Sequence, residues 1–459
     1  MRMFAILDRE RCIAPPGYNR WRVPPAALAI HLAIGQAYAF SVFNLPLSRA
    51  IGITKEAPGD WSLATLGWIF SLAIVFLGLS AFTFGRWLEA AGPRKAMFAS
   101  AMCFASGFFV SAVGVHVHEI WLLYIGYGVI GGIGLGLGYI SPVSTLIKWF
   151  PDRPGMATGM AIMGFGGGAM IGSPLAVALM NHFQSPASVG VAPAFVAMGA
   201  IYFVFMLFGV FTVRLPSEEF LQATKAATAT ARVEPGRDVH VDRAIGAKQF
   251  WLLWIVLCFN VTAGIGVLGQ ASPMIQEMFT GRISAEAAAG FVGLLSLANM
   301  AGRFLWSSAS DVIGRRRTYM IFFALGALLY AGVPMTGRMG SVVLFVASYV
   351  VIMTMYGGGF ATIPAYLRDL FGVMHVGAIH GRLLTAWSVA GVAGPSLVNY
   401  IREYQINHGV AKADAYSVTM YLMAGLLAVG FVANWLVTPV HPRFHHDPNS
   451  GGAAARMAA

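Results

Sequence analysis

Residues 307–316 read Ser-Ser-Ala-Ser-Asp-Val-Ile-Gly-Arg-Arg, and residues 85–94 read Gly-Arg-Trp-Leu-Glu-Ala-Ala-Gly-Pro-Arg. Both stretches follow a long apolar run and share one spacing: a small residue, then an acid, then a glycine, then a basic residue. The two glycines, Gly92 and Gly314, lie about 220 residues apart. A short loop repeated at this distance indicates that the chain consists of two related halves.

The composition indicates that both halves lie in lipid. Of the 459 residues, 57% are hydrophobic and only 11% are charged, whereas soluble domains have about 25% charged residues. About twelve apolar runs are each long enough to cross a hydrocarbon core of roughly 30 Å. Continuous runs without alternation satisfy their backbone only as helices, so we predict an all-α membrane protein with twelve transmembrane helices in two six-helix bundles. The runs are 25–47, 62–84, 94–115, 120–147, 155–181, 192–213, 250–276, 286–309, 317–336, 340–367, 376–401 and 415–438.

The longest hydrophilic interruption separates six runs from six. It is rich in Ala, Thr and charged residues and is typical of a cytoplasmic linker with a short surface helix. The first residues lack the apolar core and cleavage site of a signal peptide, so none is expected to be removed. The predicted division is an N-terminal tail (1–23), a first bundle (24–213), a linker (214–248), a second bundle (249–438) and a C-terminal tail (439–459).

The positions of the basic residues predict the orientation. If the N-terminus is cytoplasmic, the outer loops hold few basic residues and the inner segments hold most of them, so both termini should be cytoplasmic. The net charge of +11 then reflects topology and contact with anionic lipid of the inner leaflet, and a nucleic-acid partner is not expected. A bacterial inner membrane fits this pattern. The outer basic residues are Arg49, Lys55, Arg282, Arg338, Arg402 and Lys412.

Several kinds of site are not expected. Cys12, Cys103 and Cys258 are scattered, which favours neither a disulfide nor a metal site. No paired carboxylates, Ser/His/Asp set or metal cluster falls within the apolar runs, so we predict neither an enzyme nor a cofactor. We also expect a monomer.

Motifs in both halves resemble a known transporter family. The repeated loops resemble the loop signature of the major facilitator superfamily, whose two six-helix bundles rock about a central site. Three further segments resemble the monocarboxylate transporters and the oxalate/formate antiporters: "GQAYAFSVF" (35–43), "WFPDRPGMATG" (149–159) and "YGGGFATIPAYLRDLFG" (356–372). The resemblance implies cytoplasmic gating loops, formed here by Gly85, Glu89, Gly92, Arg94, Asp311, Gly314, Arg315 and Arg316.

One arginine interrupts the eighth apolar run. Ser296, Asn299, Arg303, Ser307 and Ser310 recur at spacings of three and four, which places them on one helix face. A charged residue in lipid costs from about 3 to more than 10 kcal/mol, so this face should meet protein or a water-filled cavity. Either the side chain reaches the cytoplasmic headgroups, or it binds a carboxylate through its two parallel donors.

The resemblance assigns substrate binding to this arginine. In the animal monocarboxylate carriers an aspartate precedes the equivalent arginine by four residues, where this chain has Asn299. Oxalate/formate exchangers place a lysine opposite it within a Thr-Ala-Lys run, where this chain has Trp387. A single cation neutralises a monoanion, but it leaves a dianion with a buried net charge, which costs several kcal/mol. We therefore favour a monocarboxylate such as lactate, pyruvate or formate over oxalate.

Further pocket candidates lie in the motifs. Tyr38, Tyr139 and Tyr356 offer an aromatic face and a hydroxyl donor, and Gln36 offers an amide. Ordinary interhelical packing is the alternative for each of them, and it is the favoured interpretation of Phe360 and Ile363. His31 is either a structural histidine or a proton site.

The energetics of anion transport limit the mechanism. Uptake of a monoanion against a negative interior costs about 2.3 kcal/mol per 100 mV, so proton symport or anion exchange is favoured over uniport. An oxalate/formate-type dicarboxylate antiporter is one alternative function. A non-transporting carboxylate sensor is another, although neither tail is large enough to fold as an output domain.

Overall fold

The computed structural model describes residues 5–228, 238–268 and 270–445, and this part of the chain is helical. Ten of its long helices are long and apolar enough to cross a membrane. We number the long helical segments α1 (Pro24–Ile34, continued by Gly35–Phe43 and Asn44–Leu47), α2 (Leu63–Ala91), α3 (Pro93–His116), α4 (Ile120–Trp149), α5 (Pro154–Phe183), α6 (Val191–Thr212), α7 (Lys248–Leu268), α8 (Ala285–Ile313), α9 (Arg315–Arg338), α10 (Val342–Phe371), α11 (Val376–Leu383 and Thr385–Asn407) and α12 (Ser417–Trp435). These segments match the predicted apolar runs, with one exception. The run predicted at 250–276 is divided between α7, which ends at Leu268, and a separate short helix, Ala271–Met278.

Two of the numbered segments are not among the ten. Helix α8 carries Arg303 and the serine-rich face around it, and α11 is interrupted at Leu384. Polar side chains and a break are both features of helices that line a functional site rather than lipid.

The repeated loops have the same backbone geometry. Gly92 ends α2 with φ +88°, and Gly314 ends α8 with φ +92°. The amide of each glycine donates at 3.0 Å to the carbonyl four residues earlier, of Leu88 and of Ser310. Because only glycine adopts this φ without strain, it ends both helices. Both repeated loops therefore make a tight turn at the glycine of the shared spacing.

The first six helices (the N-terminal half) and the last six (the C-terminal half) meet mainly along two pairs of helices, with smaller contacts of α5 with α10 and of α4 with α11. Helix α5 packs along α8, and α2 packs along both segments of α11. On α5, a Cβ atom at Gly159 would collide with Ser307 of α8. This close approach brings Arg303, one turn before Ser307, directly against the N-terminal half.

The tail and the linker cover the end of the molecule that holds the repeated loops, which we call the basic end (residues 85–95 and 307–317). Arg94 donates to the Ile6 carbonyl at 2.9 Å, and Lys95 lies 2.7 Å from Asp8. The linker contains the helix Glu218–Thr228, where the sequence predicts one. Residues 1–4, 229–237 and 446–459 of the predicted tails and linker lie outside the described residues.

Candidate functional site

Arg303 is fully buried at the junction of the two halves. Its Nε donates at 3.0 Å to Oδ1 of Asn299, one turn earlier on α8. Nη1 and Nη2 are buried and have no hydrogen-bond partner among the described residues. The alternative in which this side chain reaches the headgroups is therefore wrong. Asn299 fixes the plane of the guanidinium, and the two parallel donors that match a carboxylate stay available.

Two phenylalanine rings flank the guanidinium, one from each half. The guanidinium carbon lies 5.8 Å from the ring centre of Phe165 on α5 and 5.3 Å from that of Phe360 on α10. Such cation–π contacts contribute about 0.5 to 2 kcal/mol each. They partly compensate the buried charge, but they leave its hydrogen-bonding capacity unused.

Four of the predicted pocket residues come together around these rings. Trp387 lies 5.4 Å from Phe165 and 4.4 Å from Phe360, measured between ring centres. Tyr38 and Tyr139 lie 5.0 and 5.6 Å from Phe165. We call this set, completed by Tyr356, the aromatic cluster: Tyr38, Tyr139, Phe165, Tyr356, Phe360 and Trp387.

The aromatic cluster adds polar groups to those of Arg303. Tyr356 lies 5.7 Å from Phe360, and its hydroxyl is 3.5 Å from that of Tyr38. The Tyr139 hydroxyl and Trp387 Nε1 are buried without a partner among the described residues. Buried donors are nearly always paired in proteins, so unpaired ones at one place mark a candidate ligand site.

Two predicted site residues have other contacts. Oε1 of Gln36 accepts a hydrogen bond at 2.9 Å from Tyr127, inside the N-terminal half, so Gln36 does not join the aromatic cluster. His31 lies behind it, with Nε2 at 3.1 Å from the carbonyl oxygen of Tyr139 and its ring stacked on the Tyr139 ring at 5.2 Å.

Three functional candidates were missed or undervalued at the sequence level. Phe165 was not identified, although it is the one large side chain in "GFGGG" (164–168). Phe360 was interpreted as plain packing. His380 is not among the site residues predicted from the sequence, yet it is 1% exposed and its Nε2 has no partner within the described chain.

The second repeated loop joins the halves at the basic end. Asp311 accepts hydrogen bonds from the amides of Gly155 (2.8 Å) and Met156 (2.9 Å) at the start of α5. Arg315 donates to Asp311 and Ser310, and its Nε lies 3.2 Å from Asp369. A carboxylate of one half thus binds the positive end of a helix in the other half.

The first repeated loop makes the equivalent contact to α11. Glu89 lies 3.0 Å from Nδ1 of His375 and accepts from the amide of Ala378 at 3.3 Å. A Cβ atom at Gly85 would touch the backbone of Ala378. Both predicted loops therefore fasten the two halves together at the same end.

The remaining loop arginines bind elsewhere. Arg94 donates to the carbonyls of Ile6 and Phe211, and Arg316 donates to that of Trp435. Arg382, on the first segment of α11, donates to Asp242 at 2.7 Å. That hydrogen bond holds the pKa of the linker carboxyl of Asp242 below its ordinary value. Arg382 thus pairs with the linker, and Arg303 is the cation that contacts the aromatic cluster in the part of the chain that the structure describes.

Comparisons with known proteins agree with this architecture. The chain is 27% identical over 428 residues to the oxalate:formate antiporter of Oxalobacter formigenes, covering 93% of this chain and 92% of that protein. It is 23% identical to the apicoplast pyruvate carrier 1 of Toxoplasma gondii, covering 87% of this chain and 80% of the carrier.

A crystal structure of the transporter FucP in the outward conformation has the same fold, with a TM-score of 0.62 at 12% identity over 90% of this chain and 98% of FucP. The sequence model of the Major Facilitator Superfamily matches residues 26–395 and 271–457. The repeated glycine-capped loops, the paired halves and these matches together show that the chain belongs to the Major Facilitator Superfamily of membrane transporters.

Proposed function

We propose that this protein is a secondary active transporter that moves a small carboxylate anion by alternating access, with Arg303 as the anion-binding residue. The observation that carries the proposal is the buried guanidinium whose Nη1 and Nη2 have no partner among the described residues. A carboxylate would satisfy both donors and neutralise the charge at once. Pairing of this kind favours the loaded site over the empty one.

The scaffold of the proposal is twelve transmembrane helices in two bundles, 24–213 and 249–438, with both termini in the cytoplasm of a bacterial inner membrane. The contacts of Asp311 and Glu89 support a carrier closed toward the cytoplasm. Breaking them would let the halves part at the basic end and expose Arg303 to that side. The glycines and charges of the two loops thus act as gating elements.

The proposed substrate class follows from the number of positive charges at the aromatic cluster. Arg303 brings one positive charge to the aromatic cluster, and Trp387 occupies the position where a second cation would favour a dianion. A monocarboxylate such as lactate, pyruvate or formate is therefore favoured, with its carboxylate on Arg303 and its remainder against apolar rings. Relatives named for oxalate, formate and pyruvate support this class of anion.

Two other functions are open to test. An oxalate/formate-type dicarboxylate antiporter would need oxalate to outcompete monoanions despite the single cation. A sensor would bind the carboxylate without moving it. Neither enzymatic chemistry nor a cofactor is part of the proposal, and a monomer suffices because the site is built from one chain.

The deciding experiment reconstitutes the protein in liposomes and measures uptake of labelled lactate, pyruvate, formate and oxalate, with and without a pH gradient or internal anion. We expect uptake of at least one monocarboxylate, and its loss in Arg303→Ala. Arg303→Lys keeps the positive charge but lacks the two parallel donors of the guanidinium, so its affinity for the carboxylate should fall by about tenfold or more. The matched control, Arg338→Ala at an exposed position, should transport normally. Full transport by Arg303→Ala contradicts the proposal, and binding without flux indicates a sensor.

A further inference from the structure

His380 lies on the first segment of α11, between the aromatic cluster and the contacts that close the basic end. Its ring centre is 5.8 Å from that of Tyr139 on α4, and Tyr139 in turn lies 5.4 Å from Trp387. Two residues before His380, the amide of Ala378 is bonded to Glu89. His380 therefore links the proposed anion site to the proposed gate.

The imidazole of His380 is buried, and one of its ring nitrogens lacks a hydrogen-bond partner among the described residues. The residue is 1% exposed, and the nitrogen in question is Nε2. Buried polar atoms are normally paired, whereas this nitrogen is free to receive a proton. Nδ1 of His31 is also buried without a partner among the described residues, so position rather than pairing distinguishes the two histidines.

The position of His380 differs from that of His31 in one decisive respect. His31 and Tyr139 belong to the same half, and Nε2 of His31 is already held at 3.1 Å from the Tyr139 carbonyl. His380 meets Tyr139 across the junction of the halves. Parting of the halves at the basic end would leave His31 on Tyr139, but it would separate His380 from Tyr139 and open Nε2 to the cytoplasm.

The elements packed against this segment of α11 supply few competing charges. Glu89 is bonded to His375 and Ala378, while Arg86 and Arg382 are paired with Asp242. Arg368 donates to the carbonyl of Pro151. The segment packs against α2, Gly132–Trp149 of α4, Val241–Ala244, α7, α10 and the second segment of α11. Besides His380, the titratable and charged side chains on these elements, on the segment itself and on the neighbouring α1 are His31, Tyr38, Arg86, Glu89, Tyr139, Lys148, Asp242, Arg243, Lys248, Cys258, Tyr349, Tyr356, Tyr366, Arg368, Asp369, Arg382, Tyr400, Arg402, Glu403 and Tyr404.

Among all these groups, an imidazole is the type whose charge changes between about pH 5 and 8. The predicted spans hold no Asp or Glu well inside, so a histidine is the side chain best suited to bind the transported proton. One proton moved with one monoanion makes the cycle electroneutral, so the membrane potential no longer opposes uptake.

Resting on the proposed function, we infer that His380 is the proton-binding residue that couples carboxylate transport to the proton gradient. Nε2 takes up one proton when the carrier binds one carboxylate, and it releases that proton to the solvent on the side where the carboxylate leaves. His31 serves as a structural support of Tyr139 in this scheme.

The test separates exchange from net uptake in liposomes that contain the full-length protein. Exchange is measured as labelled lactate entering against unlabelled internal lactate at equal pH, and it requires no net proton movement. Net uptake is driven by an acidic exterior without internal anion. In His380→Gln we expect exchange within about twofold of the wild type, but gradient-driven uptake lower by about tenfold or more. His31→Gln removes the other buried imidazole, and it should change exchange and gradient-driven uptake by the same factor.

The inference is overturned if His380→Gln keeps gradient-driven uptake, or if His31→Gln loses it while His380→Gln does not. Equal loss of exchange and uptake in both His380→Gln and His380→Asn also overturns it, because the residue would then support the fold or the anion site instead. A wild type that exchanges lactate but ignores the pH gradient disproves the coupling role and leaves the proposed function intact. Absence of any carboxylate flux in the wild type removes the proposed function, and this inference with it.

Discussion

The guanidinium carbon of Arg303 lies 5.8 Å from the centre of the Phe165 ring, although the two residues are on helices of opposite halves. The charge that would bind the anion is therefore stabilised in part by the half of the protein on which it does not reside. Any rocking of the halves changes this contact, so the state of the guanidinium and the state of the carrier are coupled through one aromatic ring.

Replacing Phe165 by leucine should weaken anion binding. The substitution keeps most of the apolar volume but removes the ring quadrupole, which is worth about 0.5 to 2 kcal/mol. We expect KM for the transported carboxylate to rise by about twofold to thirtyfold, with little change in the amount of folded protein. Initial uptake rates over a range of substrate concentrations measure this directly.

Phe195→Leu is the matched control, because Phe195 packs against Phe43 and Phe108 inside the N-terminal half. That variant should lower stability without changing KM. An unchanged KM in Phe165→Leu would show that the ring fills space and does not position the guanidinium.

Trp387→Lys should shift selectivity toward dianions. The tryptophan ring lies in the aromatic cluster, and its Nε1 has no partner in the described structure. A lysine there would add a second cation, so that oxalate rather than lactate becomes neutralised on binding. Because an uncompensated buried charge costs several kcal/mol, the ratio of oxalate to lactate uptake should rise by about tenfold or more.

Trp387→Phe keeps an aromatic ring without adding charge and should retain the preference for monoanions. The argument that a single cation selects monoanions is wrong if folded Trp387→Lys transports lactate and oxalate in the wild-type ratio. Competition of unlabelled oxalate against labelled lactate gives this ratio in a single assay.

Asp311→Asn should loosen the closed basic end. Both carboxylate oxygens accept backbone hydrogen bonds from the start of α5, whereas an asparagine has one acceptor oxygen and no charge. Charge-assisted hydrogen bonds contribute about 1.5 to 3 kcal/mol, so the open form should become about tenfold more populated. A cysteine at the buried Ser144, which faces Gly377 across the halves, would report opening as faster maleimide labelling in a background without the native cysteines.

Glu89→Gln, the equivalent change in the first half, should accelerate labelling in the same way. Asp152→Asn serves as the control, because Asp152 pairs with Arg20 of the same half. Equal labelling rates in all three variants would mean that the repeated loops do not control opening.

The sequence predicted those parts of the fold that depend on local chemistry. Gly92 and Gly314 could be identified as helix ends because the required φ excludes other residues. Arg303 could be placed in the interior because lipid exposure of its charge is too costly. In both cases one residue type meets a strong physical constraint, and no knowledge of the distant chain is needed.

What the sequence did not predict depends on how the halves meet. Phe165 sits among glycines that suggest only close packing, and its contact with Arg303 arises from the pairing of α5 with α8. Gln36 is a pocket candidate at the sequence level because it lies in the motif "GQAYAFSVF" (35–43). The segment Gly35–Phe43 is a 3₁₀-helix, which has three residues per turn and therefore directs side chains differently from an α-helix.

The pH dependence of stability should reveal the ion pair that joins α11 to Glu277 in the short helix Ala271–Met278, which follows α7. Arg402 Nε lies 3.0 Å from Glu277, and Tyr416 donates to the same carboxylate at 2.7 Å. Partial burial acts to raise the pKa of Glu277, but the hydrogen bonds from Arg402 and Tyr416 outweigh it, so the pKa lies below its ordinary value.

A carboxyl whose pKa is lowered by folding stabilises the protein above its unfolded pKa, and that contribution is lost as the pH falls through the folded value. Glu277→Gln should therefore be less stable than the wild type by about 1 to 3 kcal/mol at neutral pH, and the difference should close below about pH 4. Thermal unfolding in detergent at a series of pH values measures it. Glu403→Gln removes the same charge at an exposed site and should leave stability nearly unchanged at every pH. A deficit of Glu277→Gln that persists undiminished in acid would mean that packing, rather than the charge of the carboxylate, accounts for its effect.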